Sequence, residues 1–316
     1  MRPFVLGNYM NAHFMYVDRL PHSGESLVAM RVFREHGGKG LNLGLGLHRL
    51  GANVDMLLAV GADDAGEAVR RALVAEGMRD ELFLTLGDAS GFGVGFIASD
   101  GGNFLAVHLG ANALLGAQHV ERAAAQLARA DWLLAHFELP DTVIRHAFRL
   151  ARCYGIPTYL NPSPWRAIDR ELLTMTDVLV VNSQEAALLF DLPDAVRWPR
   201  AEWSARLSAL AERIGWRGRV LAVTLAADGS VALDAAGRMA AAAPFAIEQV
   251  DATGAGDAFG CGLVDALSRG EALSAALRFG NACGAHVAAR AGIFAHLPRK
   301  AELADLLGRA KPAGPD

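Results

Sequence analysis

Short apolar runs alternating with helix-period segments constrain this 316-residue chain more than any other feature. Phe4-Val5-Leu6, closed by Gly7, reads as a short buried strand. Gly37-Gly38-Lys39-Gly40 then opens a helix with Leu41, Leu45 and Leu50 on its apolar side and Gly51 as its C-cap. Val54 to Val60 reads as a second buried strand, and Ala65 to Glu76 as a second helix ending at Gly77. Strand, helix, strand, helix in this order predicts a parallel sheet wrapped by helices, an α/β fold. Further on, a helix from Ala117 to Ala130 leads to the strand Trp132 to Ala135, and one from Thr142 to Cys153 to the strand Thr158 to Leu160. Asp177 to Val181 adds a strand, and Val220 to Leu225 pairs with Ser230 to Leu233 around Asp228-Gly229. Two closing helices run from Asp257 to Ser268 and from Leu273 to Ala289, and a short helix after Arg299 gives way to a frayed tail, Lys311 to Asp316.

Two stretches break this rhythm. Phe14 to Val17 and Leu27 to Phe33 read as strands around Pro21-His22-Ser23-Gly24-Glu25, and Gly93 to Ala98 and Phe104 to His108 flank a hairpin turn from Ser99 to Asn103. They make a small sheet of 12–37 and 89–112 set apart from a core of 1–11, 38–88 and 113–316.

Composition excludes several classes. A net charge of −4 leaves no basic footprint, so nucleic acid is not an expected partner. No apolar run approaches a membrane-spanning length and the N-terminal segment lacks a signal-peptide layout, so the expectation is a cytoplasmic protein without a membrane partner. Cys153, Cys261 and Cys283 are far apart and never C-x-x-C, which argues against a disulfide framework or a zinc site. Gly7 lacks the partners of a G-x-G-x-x-G turn, which excludes a dinucleotide-dependent oxidoreductase, and no Walker A loop is present.

The chemistry concentrates at Gln249 to Phe259, where a Gly-rich turn runs into an apolar-periodic helix carrying Phe259, Leu263, Val264 and Leu267 on one face. Gly254 and Gly256 stand at its N-terminus, where free N–H groups and the helix dipole hold an anion. Asp257 has two readings there: a helix-stabilising acid, or a general base beside a held phosphoryl group. Asn182-Ser183-Gln184-Glu185 after a buried strand reads as a capping box. Thr224 to Gly229 reads as a strand entering a hairpin turn.

The run Asp251-Ala252-Thr253-Gly254-Ala255-Gly256-Asp257-Ala258-Phe259 resembles the D-x-x-G-A-G-D-x-F signature of the PfkB/ribokinase family of sugar and nucleoside kinases. P-x-x-G-E-[ST] at Pro21 to Ser26, G-G-K-G at Gly37 to Gly40, H-x-G-A-N at His108 to Asn112 and L-N-P-x-P at Leu160 to Pro164 are similar to the ribokinase branch, and the resemblance runs from Val5 to Pro298. It implies a ribokinase-like fold: a central, mostly parallel sheet flanked by helices, with the small sheet as a lid over the sugar and a homodimer contact. It implies ATP- and Mg²⁺-dependent phosphorylation of a primary hydroxyl of a small sugar, ribose first. A nucleoside or another PfkB-type substrate is the alternative, and an ATP- and sugar-binding regulatory relative the non-enzyme one.

Carried over by position, Asp257 is the catalytic base, and Gly254, Ala255 and Gly256, with N–H groups of Ala255, Gly256 and Asp257, form the anion hole. Gly38, Lys39, Asn42, Glu138 and Asp251 lie against the sugar, with Asn42 bonding its hydroxyls. Asn182, Thr224, Ala226, Asp228, Gly229 and Asn281 fall at nucleotide positions, Ala226 replacing a Gly, and Glu185 orders Mg²⁺ through water. Asp251, Thr253, Val287, Arg290 and Gly292 match positions around a K⁺ ion, where His296 replaces a hydroxyl ligand. Ribokinases carry N-x-D after the first strand, and the Asp grips two sugar hydroxyls. Without gaps those places are Met10 and Ala12 here, with Asn11 or Asn8 as stand-ins.

Overall fold

The computed structural model describes residues 1–100 and 102–309. Gly101, inside the expected hairpin turn, and the tail 311–316 lie outside the described residues. The chain opens with β1 (Pro3–Leu6), β2 (Met10–Val17), β3 (Arg31–Gly37), α1 (Lys39–Arg49), β4 (Asp55–Val60), α2 (Asp64–Ala75) and β5 (Phe83–Thr85). It continues through β6 (Phe92–Ala98), β7 (Asn103–His108), α3 (Ala117–Arg122), α4 (Ala124–Leu127), β8 (Trp132–His136), α5 (Asp141–Tyr154) and β9 (Thr158–Asn161). Next come α6 (Arg170–Thr174), β10 (Val178–Asn182), α7 (Ser183–Leu189), α8 (Arg200–Arg213) and β11 (Val220–Thr224). The last elements are β12 (Ser230–Asp234), β13 (Met239–Ala242), α9 (Ala255–Ser268), α10 (Leu273–Ala288) and α11 (Ala304–Arg309).

Among the described residues the strands form two sheets. The large one has nine strands in the order β13-β12-β11-β10-β9-β8-β1-β4-β5, and the small one runs β3-β2-β6-β7. In the large sheet every neighbouring pair is parallel except β11–β12 and β12–β13 at one edge. Strand alternation sends Phe4, Leu6, Leu57 and Ala59 into a core under α3 to α8, and Val5, Met56, Leu58 and Val60 into a second core under α1, α2, α9 and α10. Both faces are covered, so the strands read as continuous apolar runs. Among the described residues no helix is long and apolar enough to cross a membrane.

Strand order fixes where a site can form. From β1 the sheet grows through β4 to β5 on one side, and from β8 through β11 on the other, so the order reverses between β1 and β8. In open parallel sheets that reversal leaves a crevice beyond the carboxyl ends of the strands. Asn8 follows β1 and Glu138 follows β8, so both stand at that crevice. The N-terminus of α1 closes against it through Gly40, where a Cβ would lie 2.5 Å from His136 Nε2 and 2.6 Å from both Asn8 N and Leu6 O.

Several expectations shift. The helix expected from Ala117 to Ala130 is two pieces, because the Ala123 N–H is shared between the carbonyls of His119 and Val120 and tightens the turn. The strand expected from Leu27 to Phe33 begins at Arg31 and runs to Gly37, with Met10 opposite Gly37 and Tyr16 opposite Arg31. Its polar Arg34, Glu35 and His36 hid it from an apolar count. The hairpin turn at Asp228-Gly229 is a 3₁₀ turn over Ala226–Asp228. β5, β13, α6 and α8 were not foreseen, and α7 was foreseen only through its capping box.

Candidate active site

The N-terminus of α9 is bare. Gly254 caps it at φ +76°, a left-handed conformation, and a Cβ there would lie 2.7 Å from Ile293 Cγ2. Ala255 N donates to Ala252 O at 3.1 Å, so its N–H is engaged within the turn and is not part of the expected anion hole. The N–H groups of Gly256 and Asp257 meet no acceptor among the described residues, and a Cβ on Gly256 would meet nothing within 4 Å. By contrast, α2 and α7 are capped by the side chains of Asp63 and Asn182. Two donors therefore point from a positive helix end into open space, the arrangement that binds an anion.

Asp257 stands in that first turn, only 4% exposed. Asn42 Nδ2 donates to its Oδ2 at 2.8 Å, and Lys39 Nζ lies 3.6 Å from its Oδ1. Burial pulls the Lys39 ammonium toward a lower pKa, but Asp257, Glu138 and Glu185 outweigh it and hold the group above its ordinary value. Asn42 was expected to bond sugar hydroxyls. Its amide N–H instead fixes Asp257, and its buried Oδ1 is left without a partner.

Glu138 forms the facing wall. Its Oε2 accepts from Lys39 N and Asn8 Nδ2, both at 2.8 Å, while Asn8 Oδ1 accepts from Gly40 N at 2.8 Å. Both amide atoms of Asn8 are thus engaged in holding the wall. His136, fully buried beneath it, donates from Nε2 to Leu6 O at 3.0 Å and accepts from Glu138 N at Nδ1 at 3.1 Å. Arg166 donates to the carbonyls of Phe137 and Leu139 on either side. His136 and Arg166 were missed because neither lies in a motif; the bonds that matter come from elements distant in sequence.

Asn11 and Ala12 are neighbours on β2 and leave opposite faces of the small sheet. Asn11 lies opposite His36 and Ala12 opposite Glu35, so Asn11 does not take the place of Ala12. Asn112 of the H-x-G-A-N motif is a latch: its Oδ1 accepts from Tyr9 N at 3.0 Å and its Nδ2 donates to Tyr9 O at 2.7 Å.

On the other side of Asp257, Glu185 Oε2 accepts from Asn182 N at 3.0 Å, closing the capping box. Thr224 ends β11 beside it, paired with Asn182 in register. Ala226 takes φ +48°, the left-handed region that a Gly would adopt without strain. Asp228 caps α8 by accepting from Arg200 N, so its carboxylate is engaged in the fold, and Gly229 N closes the turn on Ala226 O. Asn281 Nδ2 donates to the carbonyls of Ala242 and Ala243, joining α10 to β13.

Asp251 Oδ1 accepts from the N–H and hydroxyl of Thr253 at 2.9 and 2.6 Å. Val287 O accepts from Arg290 N at 2.9 Å, and the Arg290 guanidinium donates to His286 O at 2.6 Å. Gly292 sits at φ +88° against Phe33 and Glu35, and His296 N donates to Ile293 O.

This geometry comes with a clear kinship: residues 4–300 match the model of the pfkB family carbohydrate kinases. The chain belongs to that family. It is 30% identical to a ribokinase of Haemophilus influenzae, over 97% of this chain and 98% of that protein. It is 28% identical to a Bacillus subtilis ribokinase, over 92% and 94%. A ribokinase of Arabidopsis thaliana, solved with ribose and ATP, shares the fold at a TM-score of 0.88 and 22% identity, covering 98% of this chain and 99% of that one. As a pfkB carbohydrate kinase, the chain is an ATP-dependent phosphotransferase acting on a sugar hydroxyl.

The histidine beneath Glu138 has a measurable signature. Burial lowers the pKa of His136 from 6.5 to about 3, so the folded state holds it neutral while the unfolded chain protonates it near its ordinary value. The resulting stability is present above pH 6.5 and is lost as pH falls toward 3, with a slope of at most about 1.4 kcal/mol per pH unit. Burial lowers His36 and His286 as well, adding the same sign. In denaturant titrations from pH 7 to 4, His136→Gln is expected to lose stability less steeply than the parent; an unchanged slope removes His136 from the account.

Proposed function

We propose that this kinase phosphorylates the primary hydroxyl of ribose or a closely related small sugar, with Asp257 as general base. The observation that carries the reading is a buried carboxylate, held by Asn42 and Lys39, at a helix N-terminus whose next N–H groups are free. Asp257 takes the hydroxyl proton, the alkoxide oxygen attacks the γ-phosphoryl group in line, and ADP leaves. The N–H groups of Gly256 and Asp257 and the Lys39 ammonium stabilise the charge that develops on the transferring group. The small sheet acts as a lid over the sugar, which rests against Gly38, Glu138 and Asp251. Similarity to ribokinases supports ribose, and a nucleoside is the second reading.

Glu185 fits the expected Mg²⁺ role. One carboxylate oxygen is tied to Asn182 N, the other has no partner among the described residues, and the charge reaches Lys39. When bound, Mg²⁺ neutralises phosphate charge while keeping several waters. The K⁺ positions fit less well: Val287 O and Asp251 Oδ1 already accept hydrogen bonds, and Arg290 brings a cation close by. We infer weak K⁺ activation at most.

The lid also supports a homodimer of this cytoplasmic enzyme. Phe104 on the edge strand β7 is 65% exposed, and Val32 and Phe92, which leave by the same face of the small sheet, extend the apolar surface. Patches of this kind mark contact sites, and an uncovered edge strand invites pairing. The occupant that fits is the same surface on a second copy.

Three measurements test this reading. Asp257→Asn keeps the side chain's shape and removes the base, so kcat with D-ribose should fall by about 10²–10⁴-fold with KM for ATP little changed; near-parental turnover means that Asp257 is only a first-turn acid. Assays in potassium, sodium and choline salts should differ by no more than a few fold, and a strict potassium requirement overturns the weak-site inference. Sedimentation should give a dimer for the parent and a monomer for Phe104→Glu; a parent that is monomeric at tens of micromolar rules the lid interface out.

A further inference from the structure

Ala12 leaves the sugar's far end without a charged acceptor on β2. The neighbouring strand supplies one. Ala12 lies directly opposite Glu35 in the β2–β3 register, so both side chains leave the same face of the lid, their Cβ atoms about 5 Å apart. That face turns toward the core: Phe33, two residues earlier on the same side, comes within 2.8 Å of where a Cβ on Gly292 would sit. Glu35 Oε2 accepts from Ile293 N at 2.7 Å and Phe294 N at 3.3 Å. Glu35 therefore bridges the lid to the segment after α10. β3 ends at Gly37, immediately before Gly38 and Lys39 of the substrate wall.

Glu35 is also an acid without a counter-charge. It forms no ion pair among the described residues, and nothing described donates to its Oε1. Arg34, adjacent on the strand, leaves by the other face. Burial, the first cause, and Asp251 raise its pKa, against the two N–H groups that lower it. Partly burying a carboxylate with one oxygen unmatched is costly unless a ligand provides donors. Ring hydroxyls are such donors, and Glu35 leaves β3 by the same face as Ala12.

We propose that Glu35 is a specificity-determining residue, the carboxylate that accepts the secondary hydroxyls of the sugar in place of an acid at position 12. The inference rests on the sugar-kinase reading above. Gln at position 35 keeps an oxygen for the N–H groups of Ile293 and Phe294 while removing the charge. For Glu35→Gln, KM for D-ribose should rise about ten- to a hundred-fold, because a hydrogen bond to a charged acceptor is worth that factor. KM for ATP and the thermal midpoint should hold. Ala12→Asp added to Glu35→Gln should bring KM for ribose back toward the parent. Calorimetric titration of D-ribose into the nucleotide-free proteins reads the same difference without turnover. If the parent turns ribose over and Glu35→Gln leaves KM within two-fold, the assignment of Glu35 fails and the kinase reading stands. If both KM values and the thermal midpoint worsen together and Ala12→Asp rescues nothing, Glu35 serves only the fold and the assignment fails. If the parent neither binds nor phosphorylates ribose, the ribose reading fails and the assignment goes with it.

Discussion

The structure depends on holding one carboxylate where water is scarce. Asp257 is almost fully buried, and a buried charge is tolerated only when it is paired and hydrogen-bonded. Both partners, Lys39 and Asn42, come from the first turn of α1, more than two hundred residues away in sequence. The contact between α1 and α9 therefore holds this carboxylate as well as packing the core. It also explains a lysine at the N-terminus of a helix, where the dipole disfavours a cation: three carboxylates around Lys39 outweigh that cost.

The same economy runs through the substrate wall. Glu138 keeps one oxygen on Asn8 and Lys39 and presents the other, and its backbone is pinned by His136 from below. A neutral imidazole suits the task, with one nitrogen donating to Leu6 O and the other accepting from Glu138 N. Arg166 adds fixed donors on the flanking carbonyls. Glu138 needs this second set of contacts, because a loop residue held at one point keeps its side chain poorly aligned.

Much of this was legible in the chain itself. Apolar runs closed by glycines gave the parallel core, since strands covered on both faces have a composition that little else shares. The turn at Asp251 to Asp257 pointed to a bare helix end with an acid beside it, and the fold has both. What remained hidden was settled by tertiary pairing. Nothing about Asn42 in its own helix tells whether its amide meets a sugar or Asp257, and Ala255 loses its N–H to a turn bond that only the folded backbone reveals. Glu35 was invisible for the same reason: its significance lies in standing across from Ala12, a relation set by strand register.

The Asn112 latch has a mechanical consequence. By binding both the N–H and the carbonyl of Tyr9, it ties the exit of the second lid hairpin to the entry of the first. Gly91 completes the seam: its carbonyl accepts from Asn11 N, and a Cβ on it would lie 2.4 Å from Tyr9 O. The four strands thus leave the core along one stitched line, so a displacement of any one of them is resisted by the bonds that hold the others. The small sheet is joined to the core as one unit, with the glycines at 37 and 38 where β3 passes into α1.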